Sequence, residues 1–168
     1  MLEHMNTLIV MRHAKAADGS PDHRRPLADR GRRQASYIGG QLASRFPVID
    51  QLFVSDAVRT QQTLEQLVAG GLKADAVNID PRLYSAGGDD LVEIIRTEAT
   101  GQTVMIVGHE PTMSALAFEL WDRQGSAGFE SGFPTAGTAV FTCARPWLEM
   151  PTGGLALKDF LTAPRLPS

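Results

Sequence analysis

The stretch Leu8-Ile9-Val10-Met11-Arg12-His13-Ala14-Lys15 decides how this chain is read. Four apolar residues run without interruption into an Arg-His pair, followed by a small residue and a lysine. An unbroken apolar run of this length reads as a buried strand. Arg12 and His13 then stand at the strand's C-terminal end, where open α/β sheets place their ligand sites. A guanidinium and an imidazole held there by a rigid element suit an anionic substrate that His13 attacks.

Outward from that stretch, residues 14–27 contain Asp, Gly, Ser and two prolines and read as a long loop, the kind of segment that carries function. From about Ala28 to Phe46, the residues Ala35, Ile38, Leu42 and Phe46 recur at helical spacing, and Pro47 stops the pattern. Gln51 to Val54 reads as a short strand, with Ser55 or Asp56 capping the helix after it. Val58, Leu64, Leu67 and Val68 supply that helix with an apolar face, and Gly70-Gly71 ends it. A weaker strand is expected over residues 76–79, then a helix capped by Asp89 that runs to about Glu98. Thr103 to Val107 is the second near-continuous apolar run, and Gly108-His109-Glu110-Pro111 follows it directly. Pro111 suits the first turn of a helix reaching about Trp121. Residues 122–136 read as a loop, Thr138 to Thr142 as a strand and residues 155–161 as an edge strand.

Strands alternating with helices predict an α/β fold, a three-layer α/β/α sandwich around a mostly parallel central sheet. No repeat or linker interrupts the chain, so residues 5–168 are expected to form one domain. Residues 1–4 read as a remnant of expression with the natural start at Met5, which sets His4 outside any site.

An apolar fraction of 43% and a charged fraction of 21% are those of an ordinary globular protein. No apolar run approaches the roughly 20 residues that cross a bilayer, so no membrane partner is expected. No leader pattern opens the chain, and its one cysteine, Cys143, fits a reducing compartment. A cytoplasmic protein is therefore expected, with Cys143 a small buried hydrophobe. The net charge of −3 gives no reason to expect nucleic acid as a partner. Positive charge is nonetheless concentrated at Arg24, Arg25, Arg30, Arg32 and Arg33. For most of these a solvated face accounts for the pattern; a basic rim for a phosphorylated or acidic partner is the functional reading.

Three strand ends carry basic or phosphate-competent residues: Arg12 and His13 after the first, Ser55 after the second and His109 after the Thr103 to Val107 run. Arg59 lies one helical turn beyond Ser55, so the two share a helix face. Phosphoryl transfer is the chemistry that such a set serves. Its transition state spreads negative charge over three equatorial oxygens and needs fixed cations with in-line geometry. Two arginines bind such oxygens through forked hydrogen bonds. A neutral histidine can take the phosphorus as covalent phosphohistidine, while a second histidine beside the phosphate is expected to be protonated and to act as a further clamp. The chemistry calls for no metal or other cofactor, and no carboxylate and histidine cluster at metal-ligand spacing is visible.

The chain resembles the histidine phosphatase superfamily (phosphoglycerate mutase-like), and within it the small SixA-type phosphohistidine phosphatases. The resemblance rests on Met11-Arg12-His13-Ala14 for the Arg-His-Gly signature, and on Arg25-Pro26-Leu27, Gly31 and Gln34-Ala35 for the segment after it. It continues in Ser55-Asp56-Ala57-Val58-Arg59-Thr60-Gln61-Gln62-Thr63 and in Val107-Gly108-His109-Glu110-Pro111. It spans roughly residues 7–142, with Ala14 in place of Gly and Asp56 in place of the usual Pro. The resemblance implies a phosphoglycerate mutase-like fold, His13 as the phosphorylated nucleophile, and Arg12, Arg59 and His109 as the rest of the phosphate pocket.

Larger relatives supply a general acid from an inserted segment, and only 49 residues separate Arg59 from His109 here, which leaves little room for one. A departing imidazole needs less help than an alkoxide, so a short chain favours phosphohistidine on a protein over a sugar phosphate. Asp18, Asp22 and His23 are the acid candidates, each also readable as a solvated loop residue. Lys15 serves equally as a surface lysine or a phosphate contact. Ser55 reads as a cap before a substrate ligand, and Thr135 as a turn residue or a substrate contact. The expected activity is a metal-independent, SixA-like protein phosphohistidine phosphatase. The alternatives are a phosphomonoesterase acting on a small phosphorylated metabolite, and a phospho-ligand-binding module without turnover.

Overall fold

The structure is a computed structural model that describes residues 5–165. The expectations for residues 1–4 lie outside that range. Six strands form one mixed, mostly parallel sheet in the order β3-β2-β4-β1-β5-β6. They are β1 (Asn6–Arg12), β2 (Ile49–Ser55), β3 (Ala74–Asp80), β4 (Thr103–Gly108), β5 (Thr138–Cys143) and β6 (Ala156–Leu161). β1 pairs parallel to β4, and β2 pairs parallel to both β3 and β4. β5 reverses direction beside β1, and β6 runs antiparallel to β5.

The apolar runs decide the layering. Successive side chains of a strand point to opposite faces, so a run that is apolar at every position must be covered twice. Leu8 and Val10, with Val104 and Ile106, pack on one face against α4 (Gly88–Glu98) and α5 (Thr112–Leu120). Ile9 and Met11, with Met105 and Val107, pack on the other against α1 (Asp29–Ala43) and α2 (Val58–Ala69). Leu8, Ile9, Val10 and Met11 are all fully buried. Each such side chain contributes roughly 1.5–3 kcal/mol relative to exposure, so Arg12 and His13 hang from a strand that is costly to displace.

Several boundaries differ from those read in the sequence. α1 ends at Ala43, and Phe46 packs half-buried against the core from the turn beyond it. Glycine sets how closely this helix approaches its neighbours. A Cβ on Gly31 would lie 2.0 Å from the Lys15 carbonyl oxygen, and one on Gly39 would lie 2.2 Å from that of Leu67. The first contact presses the start of α1 against the chain just beyond His13.

Neither Ser55 nor Asp56 caps α2: the N-cap position is Ala57, and the Ser55 hydroxyl is used elsewhere. The buried face of α2 is not the expected apolar one either. It consists of Arg59, Thr60, Thr63 and Leu67, while Val68 is exposed and Val58 and Leu64 are half-buried. In α4 the N-cap is Gly87 instead of Asp89, and the Asp90 carboxylate accepts a hydrogen bond from the Gly87 amide at 3.2 Å. The long loop contains a 3-10 turn at Asp22–Arg24 and an antiparallel bridge between Ala16 and Leu27. Pro81 leads into a short unanticipated helix, α3 (Arg82–Ser85). Cys143 is buried at the end of β5. Among the described residues no helix is long and apolar enough to cross a membrane.

Candidate active site

The C-terminal ends of β1, β2 and β4 converge because these three strands are neighbours and parallel. β1 delivers Arg12 and His13, β4 delivers His109, and the first turn of α2, entered from β2, delivers Arg59. Together they line a cavity of about 220 Å³ with Lys15, Ala16, Arg25, Glu110 and Thr135. A larger cavity of about 420 Å³ beside α3 and α4 is lined by Asp90, Glu93 and Glu98 with Arg82. Its carboxylates oppose an anion, so the smaller cationic pocket is the site.

His13 is 8% exposed. Its Nδ1 lies 2.7 Å from the Ala14 carbonyl oxygen, which can only accept, so Nδ1 carries the proton. The Nε2 lone pair is thereby left free on the pocket side of the ring. Burial, and then the nearby His109, Arg59 and Arg12, pull the His13 pKa down to about 3, so the imidazole is neutral and nucleophilic at ordinary pH. The backbone fixes the residue as well. His13 N donates to Gly108 O, and His13 O accepts from Ala136 N, both at 3.0 Å. Ala136 holds a left-handed φ of 64°, a conformation unfavourable for a residue with a Cβ. This loop also receives the Arg12 side chain, whose Nη1 donates to Phe133 O at 2.8 Å.

Arg59 is 6% exposed and is braced from two sides. Nη1 donates to the Asp22 carbonyl oxygen at 2.8 Å and Nη2 to the Asp22 carboxylate at 3.0 Å. Nη2 also lies 3.3 Å from His109 Nδ1. An arginine can only donate, so Nδ1 accepts, and His109 Nε2 then carries the proton and donates to Ser55 Oγ at 2.9 Å. Ser55 is thus the support of His109. Burial and Arg59 lower the His109 pKa to about 4, so in the unliganded pocket the second histidine is neutral and not the protonated clamp expected. The Nε atoms of Arg12 and Arg59 are buried and have no hydrogen-bond partner.

The acid candidates separate. Asp18 is exposed, and no interaction connects it to the pocket. Asp22 accepts from Tyr84 Oη at 2.6 Å, from Arg25 at 3.1 Å and from Arg59. These donors hold its carboxyl far below the usual carboxylate range, so Asp22 is a brace for Arg59 and has no proton to give. His23 pairs with Asp56 at 3.0 Å, and its ring packs edge-on against Tyr84. Lys15 is exposed at the pocket wall, and Thr135 is half-buried there. Of the basic cluster, Arg25 lines the pocket and Arg24, Arg30, Arg32 and Arg33 are exposed.

Sequence reasoning missed Tyr84, whose ring stands 5.4 Å from that of His109. It also assigned no role to Glu110, which accepts hydrogen bonds from Ser114 N, Ser114 Oγ and Phe133 N. The only signal for Glu110 was its place between His109 and Pro111; for Tyr84 there was none. Among the described residues no group of three or more His, Cys, Asp or Glu side chains is placed to hold a metal ion.

The profile of the histidine phosphatase superfamily (branch 1) matches residues 8–86, from β1 through α3. An uncharacterized protein of Mycobacterium tuberculosis is 41% identical over 158 residues, 89% of this chain and 98% of its own length. The chain belongs to the histidine phosphatase superfamily. The phosphohistidine phosphatase SixA of Escherichia coli K12 is 27% identical over 117 residues, covering 67% of this chain and 73% of that protein. Among solved structures, one from Nakamurella multipartitia, provisionally named phosphohistidine phosphatase SixA, superposes with a TM-score of 0.81. It is 29% identical, and the superposition covers 95% of this chain and 96% of that one. The mixed six-stranded sheet is therefore the phosphoglycerate mutase-like fold of these SixA structures, and membership of this family supports a phosphatase.

Proposed function

We propose that this protein is a protein phosphohistidine phosphatase that works through a covalent phosphate on His13, in a single domain acting in the cytoplasm. The observation that carries the reading is the convergence of Arg12, Arg59 and His109 on one pocket with the open Nε2 lone pair of His13. Phosphoryl oxygens offer the acceptors that two guanidinium groups can clamp together.

In the reaction, His13 Nε2 attacks phosphorus, the P–N bond forms, and the bond to the leaving group breaks in line with it. Water then attacks the phosphorus, the P–N bond breaks, and inorganic phosphate leaves. Arg12 and Arg59 hold the equatorial oxygens in place of a metal. A dianion in the pocket opposes the effects that keep His109 neutral. A proton gained on Nδ1 turns that atom from an acceptor into a donor facing the phosphate.

The relative named phosphohistidine phosphatase supports the substrate class. A cavity of about 220 Å³ has room for a phosphoryl group together with the first atoms of the side chain that carries it. The test compares kcat/KM on a histidine-phosphorylated phosphotransfer domain with that on a panel of sugar and nucleotide phosphates. The phosphorylated domain is expected to be the best substrate. A higher value on any sugar phosphate would make a small metabolite the substrate instead.

A further inference from the structure

The two arginines of the phosphate pocket are held by different means. The carboxylate and the carbonyl of Asp22 fix Arg59, whereas Arg12 Nη1 donates at 2.8 Å to the main-chain oxygen of Phe133. Phe133 lies between α5 and β5, in a segment without a helix or strand of its own, so no strand ladder fixes that oxygen. Pro134 follows and brings no amide hydrogen to the peptide that carries the oxygen. Downstream, Ala136 N donates to His13 O and Gly137 N to Pro134 O. Upstream, the Phe133 ring is buried edge-on against Phe129 at 5.3 Å, and the Phe133 amide donates to Glu110 Oε2 at 3.1 Å.

Glu110 is itself fixed by the helix that follows it. Oε1 accepts from the Ser114 amide at 2.8 Å and Oε2 from the Ser114 hydroxyl at 2.7 Å. These bonds lie in the first turn of α5, where Pro111 at the N-cap offers no side-chain acceptor. The half-buried Glu110 also lines the phosphate pocket, where its charge opposes an anion. Arg12, Lys15, Arg25 and Arg59 in the same wall outweigh it, but a repulsive group at that place requires another task. Its effect on Arg12 points to one: burial disfavours the charged guanidinium, and the Glu110 carboxylate favours it.

We propose that Glu110 is the positioning residue of Arg12: it ties the Phe133 amide to the start of α5 and so aims the Phe133 carbonyl that holds the guanidinium in the phosphate pocket, a role that rests on the phosphatase reading above. The chain of contacts runs from Glu110 through Phe133 N and Phe133 O to Arg12 Nη1. Because Glu110 follows His109 directly, the same residue couples the end of β4, which delivers the second histidine, to the arginine delivered by β1. Glu110 acts through Arg12 and exchanges no proton with substrate.

The experiment uses the whole protein with p-nitrophenyl phosphate and places Glu110→Ala in three backgrounds: wild type, Arg12→Ala and Arg59→Ala. Groups that act through one another are not additive, and the cycle measures the departure. In the wild type the substitution is expected to lower kcat/KM by about tenfold. In Arg59→Ala it should again cost at least about fivefold, but in Arg12→Ala, where no guanidinium remains to be aimed, less than about twofold. Glu110→Gln keeps the size and one acceptor oxygen, should fall between Glu110→Ala and wild type, and serves the same cycle if the alanine variant does not fold. Equal losses in all three backgrounds would make Glu110 a brace of α5 alone and would overturn the proposal, as would a wild-type rate in Glu110→Ala. Wild-type protein that turns over no p-nitrophenyl phosphate and carries no phosphate on His13 would instead contradict the phosphatase reading, and the proposal with it.

Discussion

Helices α2 and α4 cover opposite faces of the same sheet and each buries four residues, but what they bury differs in kind. α4 presents Leu91, Val92, Ile94 and Ile95, whereas α2 presents Arg59, Thr60, Thr63 and Leu67. Every buried hydroxyl on α2 has a partner. Thr60 Oγ1 donates to the Ser55 and Ala57 carbonyls, and Thr63 Oγ1 bonds Arg59 O while accepting from Ala14 N. That last contact ties the helix to the residue after His13. One layer therefore holds the fold by excluding water, and the other gives up apolar contact to hold a cation and a nucleophile in fixed relation. Stability and activity should accordingly respond to substitution on different sides of the sheet.

The largest effect is expected on the site side. Arg59→Ala should lower kcat/KM by at least about a hundredfold, the scale for removal of one transition-state donor. Its denaturant midpoint should move far less than that of a core variant on α4. Activity and unfolding assays on the same preparation check both halves. A large loss of stability with little loss of rate would show that the polar face of α2 is structural, and would erase the contrast with α4.

The mirror experiment is Leu91→Ala. Leu91 is fully buried among apolar neighbours, so the cavity left behind should cost about 2–5 kcal/mol. The kcat/KM of the folded protein should stay near the wild-type value, because Leu91 is not among the residues that line the phosphate pocket. A matching fall in kcat/KM at temperatures well below unfolding would couple the two layers.

A smaller effect follows from the two neutral histidines. His13 and His109 titrate near 3 and 4 in the folded protein, below the ordinary 6.5. The unfolded chain therefore binds more protons than the folded one between those values. Stability is fully present above about pH 6.5 and is lost as pH falls toward 4, by up to about 1.4 kcal/mol per unit for each histidine. Denaturant midpoints at pH 7 and pH 5 measure this, and His109→Asn should shallow the slope. A midpoint that does not fall between those pH values would mean that the imidazoles are not desolvated as described.

How much of this was legible in the sequence depended on whether the signal was local. Two apolar runs ending in Arg12-His13 and Gly108-His109 announce both strands and the side chains at their ends. Parallel neighbours then bring those ends together without further information. Arg59 was legible because Ser55 and Arg59 flank a helix start. What it touches was not: the bond from Arg59 to Asp22 spans 37 residues, and that from Tyr84 to Asp22 spans 62. Contacts of that length leave no periodic trace. The misjudged face of α2 has the same origin. Periodicity counts apolar residues, and this helix turns its threonines and arginine inward because the site supplies their partners. Serine at a helix start reads as a cap because its hydroxyl can accept from first-turn amides; here His109 is near enough to claim it.

The central claim is that His13 Nε2 becomes covalently bonded to phosphorus. Rapid mixing with labelled substrate, quenching in alkali and locating the label by mass spectrometry tests it directly. Wild-type protein should carry phosphate on His13 alone, and His13→Ala should carry none and show no turnover. Label on another residue, or label that persists in His13→Ala, would contradict the account.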